Sequence, residues 1–399
     1  MEPWKRNLYV LWFSELLAIA GFSVVFPFLP YYVQALGITE PGQVALWSGV
    51  IIAVQALTMT IFAPIWGSLA DRYGRKLMIE RATFGGAVVL ALMGFVQNVE
   101  QLAALRAIQG TLTGTVAAAM TLVASSTPRE RSGYAMGLLQ MAVWIGSSVG
   151  PLIGGVVADA LGYRAAFWVT GMLLFISGLT VWLFVKEDFT PPPRDQRHPR
   201  TSLWAGLKLV LATTSLVALL AVRIIVRLGT SLTTPILALF VQSLAAPDAR
   251  IASLTGLISG FAAATSATSS VILGRSGDRI GYRPVLLIST VAAAVLYVPQ
   301  FFVTSPWQLL ILQGAVGFAL GGVVASISAS QAKLAPEGHQ GAVYGLDASA
   351  TSAADAVGPM IGASMAAALG LRLPFLLTAG ALGLAACLTW ALIPADRKN

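Results

Sequence analysis

Charge is scarce in this chain. Only 11% of its 399 residues are Asp, Glu, Lys or Arg, where soluble globular domains carry about a quarter, so an ordinary soluble core is excluded. There is one cysteine, Cys387, and there are two histidines, His198 and His339. A single cysteine excludes an intramolecular disulfide, and a lone thiol in an apolar stretch is a packing residue. Two histidines in polar connections offer no cluster of the kind that holds a metal, so neither metal nor cofactor is expected. The sequence has no G-x-x-x-x-G-K-[ST] loop and no H-E-x-x-H, and its one G-x-S-x-G string, Gly146–Gly150, lies inside an apolar run rather than at a strand-to-helix turn. Nucleotide hydrolysis and hydrolytic catalysis have no apparatus, and the chain is not expected to be an enzyme.

What it has instead is apolar surface: 56% of its residues are hydrophobic, and they come in long runs. About 20 residues at 1.5 Å rise cross the hydrocarbon core of a bilayer. Runs of that kind lie near 8–33, 44–66, 79–97, 101–123, 134–158, 164–185, 211–240, 251–273, 285–303, 307–331, 342–369 and 372–393. In lipid the backbone must satisfy its own hydrogen bonds, and uninterrupted runs do so as helices rather than as a barrel. The fold class expected is an all-α membrane protein of twelve transmembrane helices. Lys5 and Arg6 precede the first run as in a signal peptide, but the run is too long and lacks a small-residue cleavage site, so it counts as helix 1.

The net charge of +8 does not point to nucleic acid. Most Lys and Arg fall in connections on the side of the N-terminus, which by the positive-inside rule puts both termini in the cytoplasm. A multi-pass protein of the cell membrane, inner or plasma, is expected, with the lipid bilayer as its partner and a monomeric state.

The chain is also written twice. GSLADRYGRK (Gly67–Lys76) after span 2 matches GRSGDRIGYR (Gly274–Arg283) after span 8, at an offset of 207. QLAALRAIQGTLTG from Gln101 matches QLLILQGAVGFALG from Gln308 at the same offset. GYAMGLLQ…VGPLIGG in span 5 matches GAVYGLDA…VGPMIGA in span 11 at 208, as do Pro27 with Pro235 and Gln34 with Gln242. An offset of six spans preserves orientation, so the repeats are parallel, two pseudo-symmetric six-helix bundles. Between them EDFTPPPRDQRHPRTS (Glu187–Ser202) reads as a semi-rigid linker. The domain boundaries expected are therefore 1–186, 187–203 and 204–399.

These residues resemble the major facilitator superfamily over essentially the whole chain, and within it the twelve-span drug:proton antiporters of the MdtG type. GSLADRYGRK resembles the superfamily's loop motif after span 2. GSSVGPLIGG (Gly146–Gly155) resembles the span-5 motif of antiporters. LAALRAIQG (Leu102–Gly110) resembles the span-4 arginine motif, with Leu112 where a small residue is usual. The proline pair in VVFPFLPYY resembles the span-1 element of drug exporters. The resemblance implies a major facilitator fold and export of drug-like molecules in exchange for protons.

Several residues carry that chemistry. Asp71, among Arg72, Arg75 and Lys76, with Gly67 and Gly74 for a tight turn, implies a cytoplasmic latch; Asp278 is its repeat mate. A plain solvated charge run is the alternative. Gly146, Gly150 and Gly154 share one face of span 5, next to Pro151, and let helices approach closely, either as a gate between the halves or as ordinary packing. Glu15 lies inside span 1, where a carboxylate must face a cavity, hold a proton or pair. Arg223, the repeat mate of Glu15, and Arg227 lie one turn apart in span 7, with Asp347 and Asp355 of span 11 as available partners. They form either a protonation-dependent relay or a static set. Arg106 in span 4 is implied to tune the coupling carboxylate, or else is a structural donor to backbone carbonyls. Phe26, Tyr31, Met141 and Trp144, with Trp12, Trp47 and Met120, are candidates to line an apolar substrate cavity.

Three functions are open at this point. The first is export of hydrophobic or cationic drug-like molecules against protons by alternating access, with small-molecule substrate and protons as partners. The second is export or flipping of an anionic amphiphile, such as a lysolipid or organic phosphate, held by Arg223 and Arg227. The third is a non-transporting membrane sensor or scaffold.

Overall fold

The computed structural model describes residues 2–112, 114–128, 131–187, 213–246, 249–334 and 340–393. Among them there are helices and no strands. In chain order the α-helices are α1 Pro3–Val24, α2 Leu29–Ala35, α3 Pro41–Tyr73, α4 Arg75–Met93, α5 Val99–Leu112, α6 Thr115–Ser126, α7 Ser132–Leu161 and α8 Tyr163–Phe184. They continue with α9 Thr214–Leu232, α10 Leu237–Leu244, α11 Ile251–Ile280, α12 Tyr282–Tyr297, α13 Pro306–Leu334, α14 Gln340–Leu369 and α15 Leu373–Leu392. The linker from residue 188 on, with His198, and the loop holding His339 lie outside the described residues.

The twelve expected spans map onto these helices. Span 1 is α1 and α2, broken around Pro27; span 7 is α9 and α10, broken around Pro235. Proline has no N–H to give and clashes with the preceding turn, so the helix breaks there. Span 4 is α5 and α6, interrupted at Gly114 with φ +120°, a backbone state that favours glycine. Its repeat, α13, runs unbroken. Among the described residues, ten stretches are long and apolar enough to cross a membrane. The two remaining spans are α4, with Arg75, Lys76, Glu80 and Arg81 in its first turns, and α14, with Asp347 and Asp355.

The helices sort into two compact units. Unit 1 comprises Met1–Glu40, Val50–Arg194 and Ala246–Gly260; unit 2 comprises Pro41–Gly49, Asp195–Ala245 and Phe261–Asn399. Helices α3 and α11 thus each contribute to both. In unit 1, α1 packs on α7 and α8, and α4 on α8, α5 and α6. In unit 2, α9 packs on α14 and α15, and α12 on α15 and α13. These are the same pairs one repeat on.

Matching side chains fill matching places. Tyr32 sits against Phe167, ring centroids 5.0 Å apart, and their repeat mates Phe240 and Phe375 stack at 4.9 Å. Gly74 and Gly281, with φ +97° and +95°, make the turns α3–α4 and α11–α12.

One expectation changes here. Gly67, Asp71 and Arg72 are not in a loop: α3 runs 33 residues to Tyr73 and only Gly74 turns. At 1.5 Å per residue such a helix spans about 50 Å, well beyond the hydrocarbon core, so the motif rides on the emerging helix end. Asp278 is likewise helical, in the last turn of α11.

Candidate functional site

Among the described residues of unit 1, two charged side chains, Glu15 and Arg106, are buried, and neither is joined to an opposite charge. Glu15 is 1% exposed. Its Oε2 accepts from Thr115 Oγ1 at 3.4 Å, and its Oε1 has no hydrogen-bond partner. Arg106 donates from Nη1 to Gln55 Oε1 at 2.9 Å, while its Nε and Nη2 are buried without partners. A charged group removed from water without compensation is costly, and neither group is fully compensated here. They do not meet: Thr115 is the partner of Glu15, and Gln55 that of Arg106. In unit 2 the repeat mate of Arg106, Gln313, bonds Gln300 at 3.0 Å, a neutral pair in the equivalent place.

In unit 2 the two arginines of α9 face the two aspartates of α14. Arg227 donates from Nη2 to Asp355 Oδ2 at 2.6 Å, and Ser231 donates to Oδ1 at 2.7 Å. Arg223 Nε lies 3.5 Å from Asp347 Oδ2. The spacing of one turn on α9 and two turns on α14 makes both contacts possible at once. With both arginines facing aspartates, little positive charge is left over for an anionic substrate.

The gate residues are differently placed from one another. Gly146, Gly150 and Gly154 press α7 onto the backbone of α1, at Leu16, Ala20 and Val24. Their repeat mates press α14 onto α9: Gly358 at Leu228 and Ser231, Gly362 at Leu232. These contacts are packing inside each bundle, one of the two roles left open for these glycines. Other residues of α7 meet the 246–260 segment inside unit 1. There Gly155 faces Ala252 and Ser253, the Pro151 carbonyl faces Gly256, and Ser148 faces Gly260. Asp159 caps this segment, accepting from the backbone N–H of Ala252 at 3.3 Å and Ser253 at 2.6 Å.

Gly67 has open space where a Cβ would stand, so it provides no close approach. The Asp71 side chain lies outside the described residues. Arg72 rests over the Tyr73 ring at 5.3 Å, and Asp278 accepts from the Tyr282 hydroxyl one turn on. The carboxylate that caps a helix near this motif is Glu187, accepting from the N–H of Arg75 at 3.0 Å and of Lys76 at 2.7 Å. Sequence reasoning assigned it to the linker. Its signal was the first acid after an apolar run stops.

Of the expected substrate-cavity residues, Phe26 and Met141 are 46% and 44% exposed and Trp144 is half-buried. Tyr31 is not available to a substrate here: it is 3% exposed and its hydroxyl bonds Thr255 at 2.8 Å. A cavity of about 440 Å³ at the N-terminal end of unit 1 is lined by Trp4, Lys5, Tyr9, Arg131 and Tyr134, of which the sequence singled out Lys5 alone, and not as a site. At its rim Lys5 bonds Glu2 at 2.8 Å and holds that carboxyl below the usual carboxylate range.

Comparison with known proteins decides the family. The family model of the Major Facilitator Superfamily matches residues 11–226 and 219–399. The chain belongs to the major facilitator superfamily. Within the superfamily, multidrug resistance protein MdtG of Enterobacter lignolyticus (strain SCF1) is 37% identical over 376 residues, covering 94% of this chain and 89% of the relative. Its counterpart from Salmonella typhimurium is 36% identical over 390 residues, covering 97% and 95%.

Solved superfamily structures share the fold. A bacterial homologue of the human lysosomal transporter Spinster, inward-facing and unoccupied, superposes with a TM-score of 0.79 at 15% identity, covering 98% of each chain. The human organic anion transporter MFSD10 (TETRAN) superposes with 0.70 at 20% identity, covering 98% of this chain and 100% of that one. The chain is a multi-pass membrane transporter of the superfamily, not an enzyme, and its twelve spans form the two bundles of the major facilitator fold.

Proposed function

We propose that the protein exports hydrophobic or cationic drug-like molecules in exchange for protons, by alternating access. The observation that carries this reading is Glu15: a membrane-buried carboxyl with one weak hydrogen bond and no cationic partner. An ion there is poorly supported, whereas a carboxyl that takes and gives up a proton explains why an acid is kept in span 1 at all. Asp347 and Asp355 are further proton-coupling candidates, and Arg106 a group that biases them. The name of the MdtG relatives supports the substrate class. The motif residues Gly67, Asp71, Arg72, Gly74, Arg75 and Asp278, with Gly146, Gly150, Pro151 and Gly154, would serve the conformational change. Phe26, Met141 and Trp144 would line the substrate path. Both termini would lie in the cytoplasm, in the inner or plasma membrane, with the protein acting as a monomer.

Coupling requires each ligand to favour one of two states, since a ligand that binds both equally shifts nothing. The test is a substrate panel in proteoliposomes with an imposed pH gradient. Uptake of cationic dyes driven by the gradient is expected, with loss of that drive in Glu15→Gln. Full pH-driven transport by that variant would remove Glu15 from the mechanism. The anion-clamp reading is disfavoured by the paired state of Arg223 and Arg227; displacement of the dye by organic phosphates, rather than by other cations, would restore it.

A further inference from the structure

The group that holds Asp347 most closely is uncharged. Gln331, 2% exposed near the end of α13, donates from its side-chain amide to Asp347 Oδ1 at 2.8 Å. Arg223 of α9 approaches the other oxygen at 3.5 Å, outside hydrogen-bond geometry, and its Nε has no hydrogen-bond partner. One carboxyl group of α14 therefore joins three helices of unit 2 through two contacts of different kinds.

The contact with Arg223 is Coulombic and exists only while Asp347 is ionised. The contact with Gln331 is a hydrogen bond, and a carboxamide, with two donors and an acceptor, can bond a carboxyl group in either protonation state.

Among the described residues, the other charges on α9, α13 and α14 have partners of their own. On α9 and α14 the remaining ions, Arg227 and Asp355, are committed to each other at 2.6 Å. Lys333 of α13 lies over the Tyr282 ring at 4.5 Å. Arg372, at the start of α15, bonds the Phe301 carbonyl at 2.6 Å. Residues 41–49 bring no charge.

We propose that Gln331 is the positioning residue for Asp347. When a proton neutralises Asp347, the Arg223 contact lapses and the Gln331 tether persists. The Asp347 end of α14 stays tied to α13, while α9 loses its tie at Arg223 and keeps those at Asp355 and at Gly358 and Gly362. Proton binding then selects which of two helix contacts opens, instead of loosening the whole bundle. This rests on the proton-exchange reading above and adds to it the contact that opens.

The experiment uses the full chain in proteoliposomes with ethidium as the transported probe. It compares wild type, Gln331→Met and Gln331→Glu. Methionine keeps the volume and removes the bond. Glutamate keeps a polar partner but sets a second carboxyl against Asp347, and two carboxyls at one site share a proton. In the methionine variant KM for ethidium should stay within about twofold while pH-driven kcat falls roughly tenfold, the split expected when a step after binding is affected. The pH midpoint of transport should move by about one unit in both variants. The glutamate variant keeps the test open if methionine impairs folding. A wild type whose uptake ignores the pH gradient overturns the proton-exchange reading. A proton-driven wild type whose pH profile both variants reproduce overturns the role of Gln331 alone.

Discussion

Gly154 has no room for a side chain, because a Cβ there would collide with the main-chain carbonyl of Val24. Overpacking a tight contact costs about 1–3 kcal/mol when the neighbour is backbone and cannot rotate away. Gly154→Ala should therefore lower the apparent melting temperature of the purified protein in detergent. Gly137→Ala, on the same helix, meets nothing within 4 Å and should be neutral or slightly stabilising, since alanine favours helix over glycine by about 1 kcal/mol. Equal melting of the two variants would remove the packing role assigned to the span-5 glycines.

Asp159 fixes the first turn of α11 by accepting from two of its free amides. Such a cap contributes about 0.5–2 kcal/mol, and by the helix dipole a negative charge is favoured there. Asp159→Ala should speed hydrogen exchange of the Ala252 and Ser253 amides by roughly tenfold, the factor that corresponds to about 1.4 kcal/mol of local opening. Exchange at α4, capped by Glu187, should not change. Unaltered protection at residues 252 and 253 would show the cap to be dispensable.

The two ion pairs of unit 2 should differ in energy. Arg227 and Asp355 have side chains 51% and 28% exposed, and pairs this wet contribute about 0–1 kcal/mol. Arg223 and Asp347 are 20% and 12% exposed, so Asp347→Ala would strand a cation away from water, at a cost approaching about 3–5 kcal/mol. Asp347→Ala should thus destabilise more than Arg227→Ala, and the Arg223→Ala/Asp347→Ala double variant should recover much of the loss. Unfolding of the single and double variants checks this; a reversed order would mean that exposure does not govern these pairs.

Much of this was legible in the sequence because membrane spans are long, apolar and duplicated. The prolines at 27 and 235 mark where spans 1 and 7 break, since a missing N–H is local information. The face-to-face placement of Arg223 and Arg227 with Asp347 and Asp355 follows from helical spacing and charge. Gln331 and Gln55 were not legible, because an amide in an apolar run has no partner that spacing alone can name. Asp159 and Glu187 were missed for a related reason: each caps a helix 93 or more positions away in sequence, a relation only the tertiary fold creates. For the glycine stripe of span 5 the sequence leaves a gate between the halves and ordinary packing both open. Small residues announce close approach, but not against which neighbour, and the neighbour is α1.

Arg106 separates stability from function. Its guanidinium is buried with one hydrogen bond, to Gln55, and two nitrogens without partners. Buried ions in that state are often replaced by apolar residues with no loss, or with a gain of about 1–4 kcal/mol. Arg106→Met alone would orphan the Gln55 carbonyl, costing about 1–3 kcal/mol, so the informative variant is Arg106→Met with Gln55→Leu. If Arg106 acts on proton exchange, this double variant should melt at or above the wild-type temperature yet lose pH-driven uptake about tenfold or more, equivalent to at least about 1.4 kcal/mol of lost coupling. If Arg106 only holds span 4 in place, melting should fall and the residual uptake should keep its dependence on the pH gradient. Both quantities are read on one preparation, so a folding defect and a coupling defect cannot be confused.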